Sequence, residues 1–203
     1  MKVVKFGGSS MADANQYRKV RDILLADPER RVVIVSAAGK RFGADHKITD
    51  LLYLCYAHTQ YGVDCSNIFE MIRSRYLEIR DELGIRLDLE SDFAALKSGL
   101  DRKLVSQDEL ASRGEYFSAK LMAAYLGFDF VDAADWVRFK YDGTVDQAAT
   151  YELLKERDKG FGMVIPGFYG RMPDGKIRTF SRGGSDITGA LAAAALDADV
   201  YEN

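Results

Sequence analysis

The chain has 203 residues and a formal net charge of −3, with acidic and basic residues mixed along its length. This length fits one large domain or two small ones with a substantial core, which is enough for an enzyme. The charge pattern argues against a nucleic-acid partner, and the absence of a long apolar run or a signal-peptide pattern predicts a cytoplasmic protein without a membrane partner.

The first elements predict an α/β fold. Valine-rich runs at 2–6 and 31–38 are typical of buried strands, and the segment 12–27 between them has helical spacing of its apolar residues. A strand, a crossover helix and a second strand form a parallel β-α-β unit. The fold class that follows is α/β.

Residues 47–126 carry four segments with helical spacing and almost no glycine between them. We therefore predict a mostly helical insert, whose apolar faces serve core packing. Cys55 and Cys65 are the only cysteines of the chain, and His46 and His58 are its only histidines. They are too few and too scattered for a zinc cluster or a disulfide framework, so we expect reduced, buried thiols and no metal site built from these residues.

Strand character returns at 128–133 and 136–140, and a helical segment and another buried strand follow. A hairpin is predicted with its turn at 173–175, the sequence Pro-Asp-Gly. Eight of the 18 glycines fall between 160 and 189. This concentration indicates a place where backbone closely approaches another group.

The first stretch with possible chemistry is "KFGGSS" at 5–10. Strand alternation places Val3 and Lys5 on one face of the sheet, so the lysine either extends to water or has an anionic partner. The glycines and serines that follow offer consecutive backbone donors close to a helix N-terminus, which attracts phosphate. Alone, the stretch is equally consistent with a tight turn.

The second stretch is "SRGGSDITGALAAAAL" at 181–196, and it also opens a helix. Ser185 or Asp186 could cap that helix, but Arg182 together with Asp186 and paired glycines favours a ligand site. In a third stretch, "SRGEYFSAKL" at 112–121, Arg113 and Glu115 would by themselves be ordinary surface charges of a helix.

Taken together, these motifs resemble those of the aspartate kinases in the amino acid kinase family. The resemblance rests on "KFGGSS", "VSAAG" with "ITDLL", "RGE", "PGFYG" and "SRGGSDITGALAAAAL", in this order along the whole chain. It implies a three-layer α/β/α fold around a mainly parallel sheet, with the helical insert beside the amino-acid pocket. The implied reaction transfers the γ-phosphoryl group of ATP to the β-carboxylate of L-aspartate, the entry to lysine, threonine, methionine and diaminopimelate synthesis.

The resemblance also implies roles for single positions, with ATP and Mg²⁺ as cofactors. Lys5 and Asp186 match the catalytic positions. The positions that match aspartate-binding residues are Thr49, Glu115, Phe168, Arg182 and Ser185. The positions that match binders of the ATP phosphates are Lys5, Phe6, Gly7, Gly8, Ser9, Gly183 and Gly184.

The chain departs from the family pattern at its last residues, "DADVYEN". We expect residues 1–203 to be the N-terminal portion of an amino acid kinase domain, without the adenine-binding portion and the ACT regulatory domains, from an enzyme that forms homo-oligomers. Two alternatives stay open: a non-catalytic aspartate-binding or assembly module, and another small-molecule kinase of the same fold. The absence of GxxxxGK[ST] and GxGxxG argues against a P-loop enzyme or a dinucleotide-dependent oxidoreductase.

Overall fold

A five-stranded sheet lies at the centre of the structure, a computed structural model that describes residues 1–203. Its strands are β1 (Lys2–Phe6), β2 (Arg30–Val35), β3 (Asp129–Phe130), β4 (Met163–Pro166) and β7 (Val200–Glu202). They are arranged in the order β3-β4-β2-β1-β7, and every neighbouring pair is parallel. The short strands β5 (Tyr169–Arg171) and β6 (Ile177–Thr179) form a separate antiparallel hairpin.

Seven α-helices surround this sheet. They are α1 (Ala14–Leu25), α2 (Ile48–Gln60), α3 (Ser66–Glu82), α4 (Glu90–Asp101), α5 (Gln107–Leu126), α6 (Gln147–Arg157) and α7 (Gly184–Ala195). Among them, α3 and α4 pack on other helices. Two 3₁₀ helices, Gly8–Met11 and Ala133–Asp135, complete the chain. None of these helices combines the length and apolar character that crossing a bilayer requires.

Alternation along β1 separates the core into two layers, as its sequence predicts. Val3 is fully buried in the cluster that includes residues of α6 and α7. Val4 belongs to the larger cluster on the other face, together with residues of α1 to α5. The predicted α/β/α architecture with a mainly parallel sheet is therefore confirmed.

The helical segment predicted over 47–126 is also confirmed, as the four helices α2 to α5. Tyr76, Phe93 and Phe117 pack together at its centre, and the rings of Phe93 and Phe117 stack with centroids 4.1 Å apart. Both cysteines are free and buried, in agreement with the sequence.

The strand predicted at 136–140 is wrong. Trp136, Val137 and Phe139 are all buried in one cluster, so their side chains do not alternate between two faces. The backbone N–H of Arg138 donates to the hydroxyl of Thr150 instead of a neighbouring strand. Only two isolated bridges form here, Arg138 with Arg171 and Phe139 with Val145.

The hairpin predicted around 173–175 is confirmed, with Gly175 at φ +85° in its turn. The predicted cap of α7 is wrong: Gly183 is the N-cap residue, and Ser185 and Asp186 lie within the first turn. Gly183 has φ +57°, a left-handed conformation that glycine adopts at little cost. The side chains of Ser185 and Asp186 are consequently free for contacts outside the helix.

Candidate active site

The candidate site lies where the parallel strands β1, β2 and β4 end. The glycine turn follows β1, the β2–α2 loop (residues 36–47) follows β2, and Gly167, directly after β4, lies against Ser185 at the start of α7. Ligands of open parallel sheets bind at this edge, since all the carboxyl ends of the strands meet there. The sequence motifs, which are far apart in the chain, meet at this edge.

Lys5 and Asp186 form an ion pair across the site. The Lys5 Nζ atom lies 2.7 Å from Oδ1 of Asp186, with 13% of the lysine side chain and 50% of the aspartate side chain exposed. Lys5 projects from the face of β1 that α7 covers, so strand alternation and the first turn of α7 bring the pair together. The sequence left an anionic partner of Lys5 open, and Asp186 is that partner.

The glycine turn after β1 presents unused hydrogen-bond donors. The N–H groups of Gly7, Gly8 and Ser9 donate to no backbone carbonyl of the chain. A β-carbon on Gly7 would lie 3.7 Å from Lys5 Nζ, which places the ammonium group beside the turn. Three free donors next to a lysine form a suitable environment for phosphate oxygens.

Gly8 and Gly39 hold this turn against the β2–α2 loop. The Gly39 N–H donates to the Gly8 carbonyl at 2.8 Å. A β-carbon on Gly39 would lie 2.7 Å from that carbonyl group, too close for any side chain. Close backbone contact, rather than left-handed conformation, explains the glycines here, because neither residue has a positive φ.

Glu115 is a buried acid without a partner for one of its oxygens. It lies on α5 with 5% of its surface exposed, and its Oε2 atom makes no hydrogen bond. Burial raises the pKa of the Glu115 carboxyl group to about 8, although the N–H of Ala37 opposes this shift. Because an unpaired buried polar atom is costly, Glu115 is suited to receive a cationic ligand group.

Glu115 lines a cavity of about 420 Å³ together with both glycine-bearing segments. The predicted residues in its lining are Gly8, Ser9, Thr49 and Glu115. The other six lining residues had no role predicted from the sequence: Ser36, Ala37, Ala38, Gly39, Lys40 and Lys47. The two lysines flank the loop between "VSAAG" and "ITDLL", and this flanking position was the signal that could have identified them.

The N-terminus of α7 lies next to this cavity. Ser185 and Ser36 join the two, since their hydroxyl oxygens lie 3.0 Å apart. Arg182 is exposed and has no ion-pair partner, and neither it nor Phe168 lines the cavity. The structure thus brings Lys5, Asp186 and Ser185 close to the Glu115 cavity, whereas Arg182 is not part of the cavity lining.

Phe168 has an unusual backbone conformation beside this helix. Its φ is +83°, which is strained for a residue with a side chain. The Thr188 hydroxyl accepts its N–H, and its carbonyl accepts the N–H of Phe180. A β-carbon on Gly184 would lie 2.7 Å from the Phe168 ring, so Phe168 fixes where α7 begins.

Comparison with known proteins places these motifs in a family. The sequence profile described as "Amino acid kinase family" matches residues 1–203, the whole chain. The chain is 38% identical to Aspartokinase 3 of Bacillus subtilis (strain 168), with all of this chain and 48% of that protein aligned. It is 30% identical to the lysine-sensitive aspartokinase 3 of Escherichia coli (strain K12), with 97% of this chain and 46% of that protein aligned.

Solved structures agree with the sequence comparison. The aspartate kinase of Clostridium acetobutylicum superposes with a TM-score of 0.96 at 45% identity, covering 100% of this chain and 47% of that chain. E. coli aspartokinase III, solved in complex with aspartate and ADP, superposes with a TM-score of 0.81 at 26% identity, covering 99% and 48%. The chain spans about half the length of the relatives it matches.

Proposed function

The chain belongs to the amino acid kinase family, and we propose that it carries the phosphate-binding and aspartate-binding parts of an aspartate kinase. The observation that supports this proposal most directly is the position of the Lys5–Asp186 pair beside a turn of free backbone donors, next to a cavity lined by Glu115. The reaction that we propose follows from the chain's similarity to proteins named aspartokinase: transfer of the ATP γ-phosphoryl group to L-aspartate.

On the phosphate side, Lys5 and the N–H groups of Gly7, Gly8 and Ser9 would bind oxygens of the transferring group. Phe6, the last residue of β1, links Lys5 to this turn, and Gly183 and Gly184 would add the N-terminus of α7. A positive charge and fixed dipoles at this place oppose the repulsion between ATP and an anionic nucleophile. Asp186 would hold Lys5 in orientation through their ion pair.

On the aspartate side, the unpaired Oε2 of Glu115 would accept the α-ammonium group of L-aspartate. Arg182 has no partner in the chain, so its planar guanidinium group is available for a bidentate contact with the α-carboxylate. Thr49, Ser185 and Phe168 would complete the pocket around the side chain. One acid and one arginine would recognise the two charges of an amino acid.

The chemistry needs no general base. A free aspartate side chain has a pKa near 3.9, so its β-carboxylate is already ionised at neutral pH. An oxygen of this carboxylate attacks the γ-phosphorus, and the bond from that phosphorus to the β–γ bridging oxygen breaks, which leaves 4-phospho-L-aspartate and ADP. The residues of this chain therefore act by alignment and charge stabilisation.

The described residues offer Mg²⁺ little of their own. They contain no group of three or more acidic, histidine or cysteine side chains that could hold a metal, and Asp186 is the carboxylate that pairs with Lys5 beside the phosphate turn, residues 7–9. This is compatible with Mg²⁺, which in phosphotransferases commonly binds one or two carboxylates plus phosphate oxygens and water. When bound with ATP, the ion would neutralise phosphate charge.

The proposal is tested by trapping the product. The natural protein that contains these residues is incubated with MgATP and L-aspartate in the presence of hydroxylamine, which converts an acyl phosphate into a coloured hydroxamate. We expect hydroxamate and ADP in equal amounts with L-aspartate, and neither with N-acetyl-L-glutamate, L-glutamate or UMP. A preference for another acceptor would make the protein a different kinase of the same fold.

Calorimetry separates the remaining alternative. An aspartate kinase binds both L-aspartate and a nucleotide, whereas a non-catalytic binding module would bind L-aspartate alone. Sedimentation of the same protein tests the expected homo-oligomer.

A further inference from the structure

The β2–α2 loop, residues 36–47, has no regular secondary structure, although six of its residues line the cavity that contains Glu115. Loops of this kind need side-chain contacts to keep one conformation. In this chain the contacts come from α3, a helix of the insert that contributes no residue to the cavity lining.

Arg75 on α3 is the centre of these contacts. It is 5% exposed, and its Nη1 atom donates to the Gly39 carbonyl at 3.0 Å and to the Ala12 carbonyl at 3.4 Å. Its Nη2 atom donates to Oδ2 of Asp45 at 2.6 Å. One guanidinium group thus connects Ala12, which follows the 3₁₀ helix Gly8–Met11, with Gly39 and Asp45 in the loop.

Asp45 completes the arrangement from inside the loop. It is 7% exposed and accepts hydrogen bonds from the N–H of Arg41 at 2.9 Å and from the Arg41 guanidinium group at 3.0 Å. These contacts hold the pKa of the Asp45 carboxyl group well below its usual range, with the Arg41 hydrogen bond as the largest cause. The carboxylate stays ionised, and its partners close the loop over five residues.

The contacts of Arg75 are linked to the phosphate turn by a single backbone hydrogen bond. Gly39, whose carbonyl Arg75 binds, donates its own N–H to the Gly8 carbonyl at 2.8 Å. Gly8 belongs to the turn that offers free donors next to Lys5. A shift of Gly39 would therefore move these donors, and phosphoryl transfer is sensitive to displacements of about 1 Å.

We propose that the buried Arg75–Asp45 pair is a positioning element for phosphoryl transfer, which acts through Gly39 on the phosphate turn. The proposal rests on the proposed kinase function. Neither side chain lines the Glu115 cavity. A buried ion pair is weak evidence of a purely stabilising role, because apolar residues of similar volume often stabilise a fold equally well, whereas a fixed geometry needs the polar contacts.

The test is steady-state kinetics of Arg75→Met, Arg75→Lys and Asp45→Asn in the natural protein. We expect kcat to fall about 10- to 100-fold in Arg75→Met, with a rise in the KM for ATP. Arg75→Lys should recover part of kcat, because it keeps the charge opposite Asp45. Asp45→Asn keeps the volume of the side chain and removes the charge, so it tests the same pair if Arg75→Met does not fold.

The matched control is Arg31→Met. Arg31 lies near the start of β2, at the end of the strand opposite the site, and makes a two-bond ion pair with Asp158 at 2.7 and 2.8 Å. This variant should lower the melting temperature and leave kcat and both KM values within twofold of the unmodified protein. If Arg75→Met or Asp45→Asn behaves in the same way, the pair is merely structural and the inference is overturned.

Hydrogen exchange at the Gly39 amide provides a readout that does not depend on activity. We expect faster exchange of this amide in Asp45→Asn and unchanged exchange in Arg31→Met. Unchanged exchange in Asp45→Asn would overturn the inference even in an active enzyme. Absence of aspartate kinase activity in the unmodified protein would instead overturn the proposed function, so the two failures are distinguishable.

Discussion

The Lys5 side and the Glu115 side of the candidate site differ in how their ionisable groups are paired. Lys5 on β1 already has its counter-ion, Asp186, at 2.7 Å, and half of the aspartate side chain is exposed. Glu115 on α5 is buried, and one of its oxygens has no partner. Lys5 is therefore held in place before any ligand binds, whereas we propose that the Glu115 side is completed by a ligand that brings a cation.

The difference follows from the tasks that we propose for the two sides. A group that stabilises developing charge acts best when it is fixed and oriented before the reaction. A group that selects a substrate acts best when it is buried. A wrong ligand then leaves its polar atom without a hydrogen bond, which makes that complex less stable by about 1–3 kcal/mol. Four substitutions test this division.

Lys5→Ala should have the largest effect. Without the ammonium group, charge on the transferring phosphoryl group loses its stabilisation, and we expect kcat to fall about 10²- to 10³-fold with little change in the KM for aspartate. Lys2→Ala is the control, since Lys2 lies on the same strand and pairs with Asp27 at 2.7 Å at the other end. Near-normal turnover of Lys5→Ala would contradict the catalytic role.

Arg182→Ala should affect binding instead of turnover. Loss of a bidentate contact with the α-carboxylate predicts a rise of about 10- to 100-fold in the KM for aspartate, with a much smaller rise for ATP. Arg86→Ala is a suitable control, because Arg86 is also exposed but lies in the helical insert. Equal rises in both KM values would refute the assignment of Arg182 to the amino acid.

Glu115→Gln tests the buried acid through pH. The Glu115 carboxyl group has a pKa of about 8, so the ionised form that an ammonium group needs increases about tenfold per pH unit up to pH 8. We expect the dissociation constant for aspartate to fall in proportion between pH 6 and 8 and then to level off. In Glu115→Gln, binding should be weak and independent of pH over this range. Titration calorimetry of both proteins with L-aspartate at several pH values measures these dissociation constants.

The same raised pKa has a consequence for folding, with a defined sign. The usual pKa is 4.5, so the folded chain holds a proton that the unfolded chain releases between pH 4.5 and 8. The contribution of Glu115 to stability is therefore fully present below pH 4.5 and decreases as the pH rises through 8. Relative to the unmodified protein, Glu115→Gln should gain melting temperature at pH 8 and not at pH 4. A constant difference between the two pH values would contradict the raised pKa.

Gly184→Ala should have the smallest effect, and we expect it mainly as a loss of folding stability. Its β-carbon would lie 2.7 Å from the Phe168 ring, and overpacking of this kind costs about 1–3 kcal/mol. We expect the melting temperature to fall by about 2–10 °C. The melting temperature of Gly43→Ala should stay unchanged, because a β-carbon at Gly43 meets no atom within 4 Å. A Gly184→Ala protein as stable as the unmodified one would show that Phe168 yields easily.

Several features of the site were readable from the sequence because they depend on local pattern. Strand alternation placed Lys5 on one face of β1, and the glycines after it indicated close backbone contact; the structure has both features. The helical pattern of 47–126 likewise predicted four helices without any knowledge of their partners. In contrast, Glu115 by itself looked like a surface charge, because no local pattern reveals that α5 packs against β2 and buries it.

The errors have the same origin. The apolar residues at 136–140 were interpreted as a strand, but they pack into one cluster beneath the β5–β6 hairpin, and a nearby hydroxyl takes the place of a ladder partner. Arg75 carried no signal among the other charges of α3. Its role depends on two carbonyl groups and a carboxylate from distant segments of the chain.

The sequence by itself determined the fold class, the two faces of β1, the helical insert and the positions of the glycine turns, since periodicity and backbone freedom are local properties. Only the tertiary structure decided that Asp186 is the partner of Lys5, that Glu115 is buried without one, and that α3 holds the β2–α2 loop. Pairing and burial depend on which distant groups meet at the carboxyl ends of the strands. That meeting is a property of the packed layers and not of any one segment.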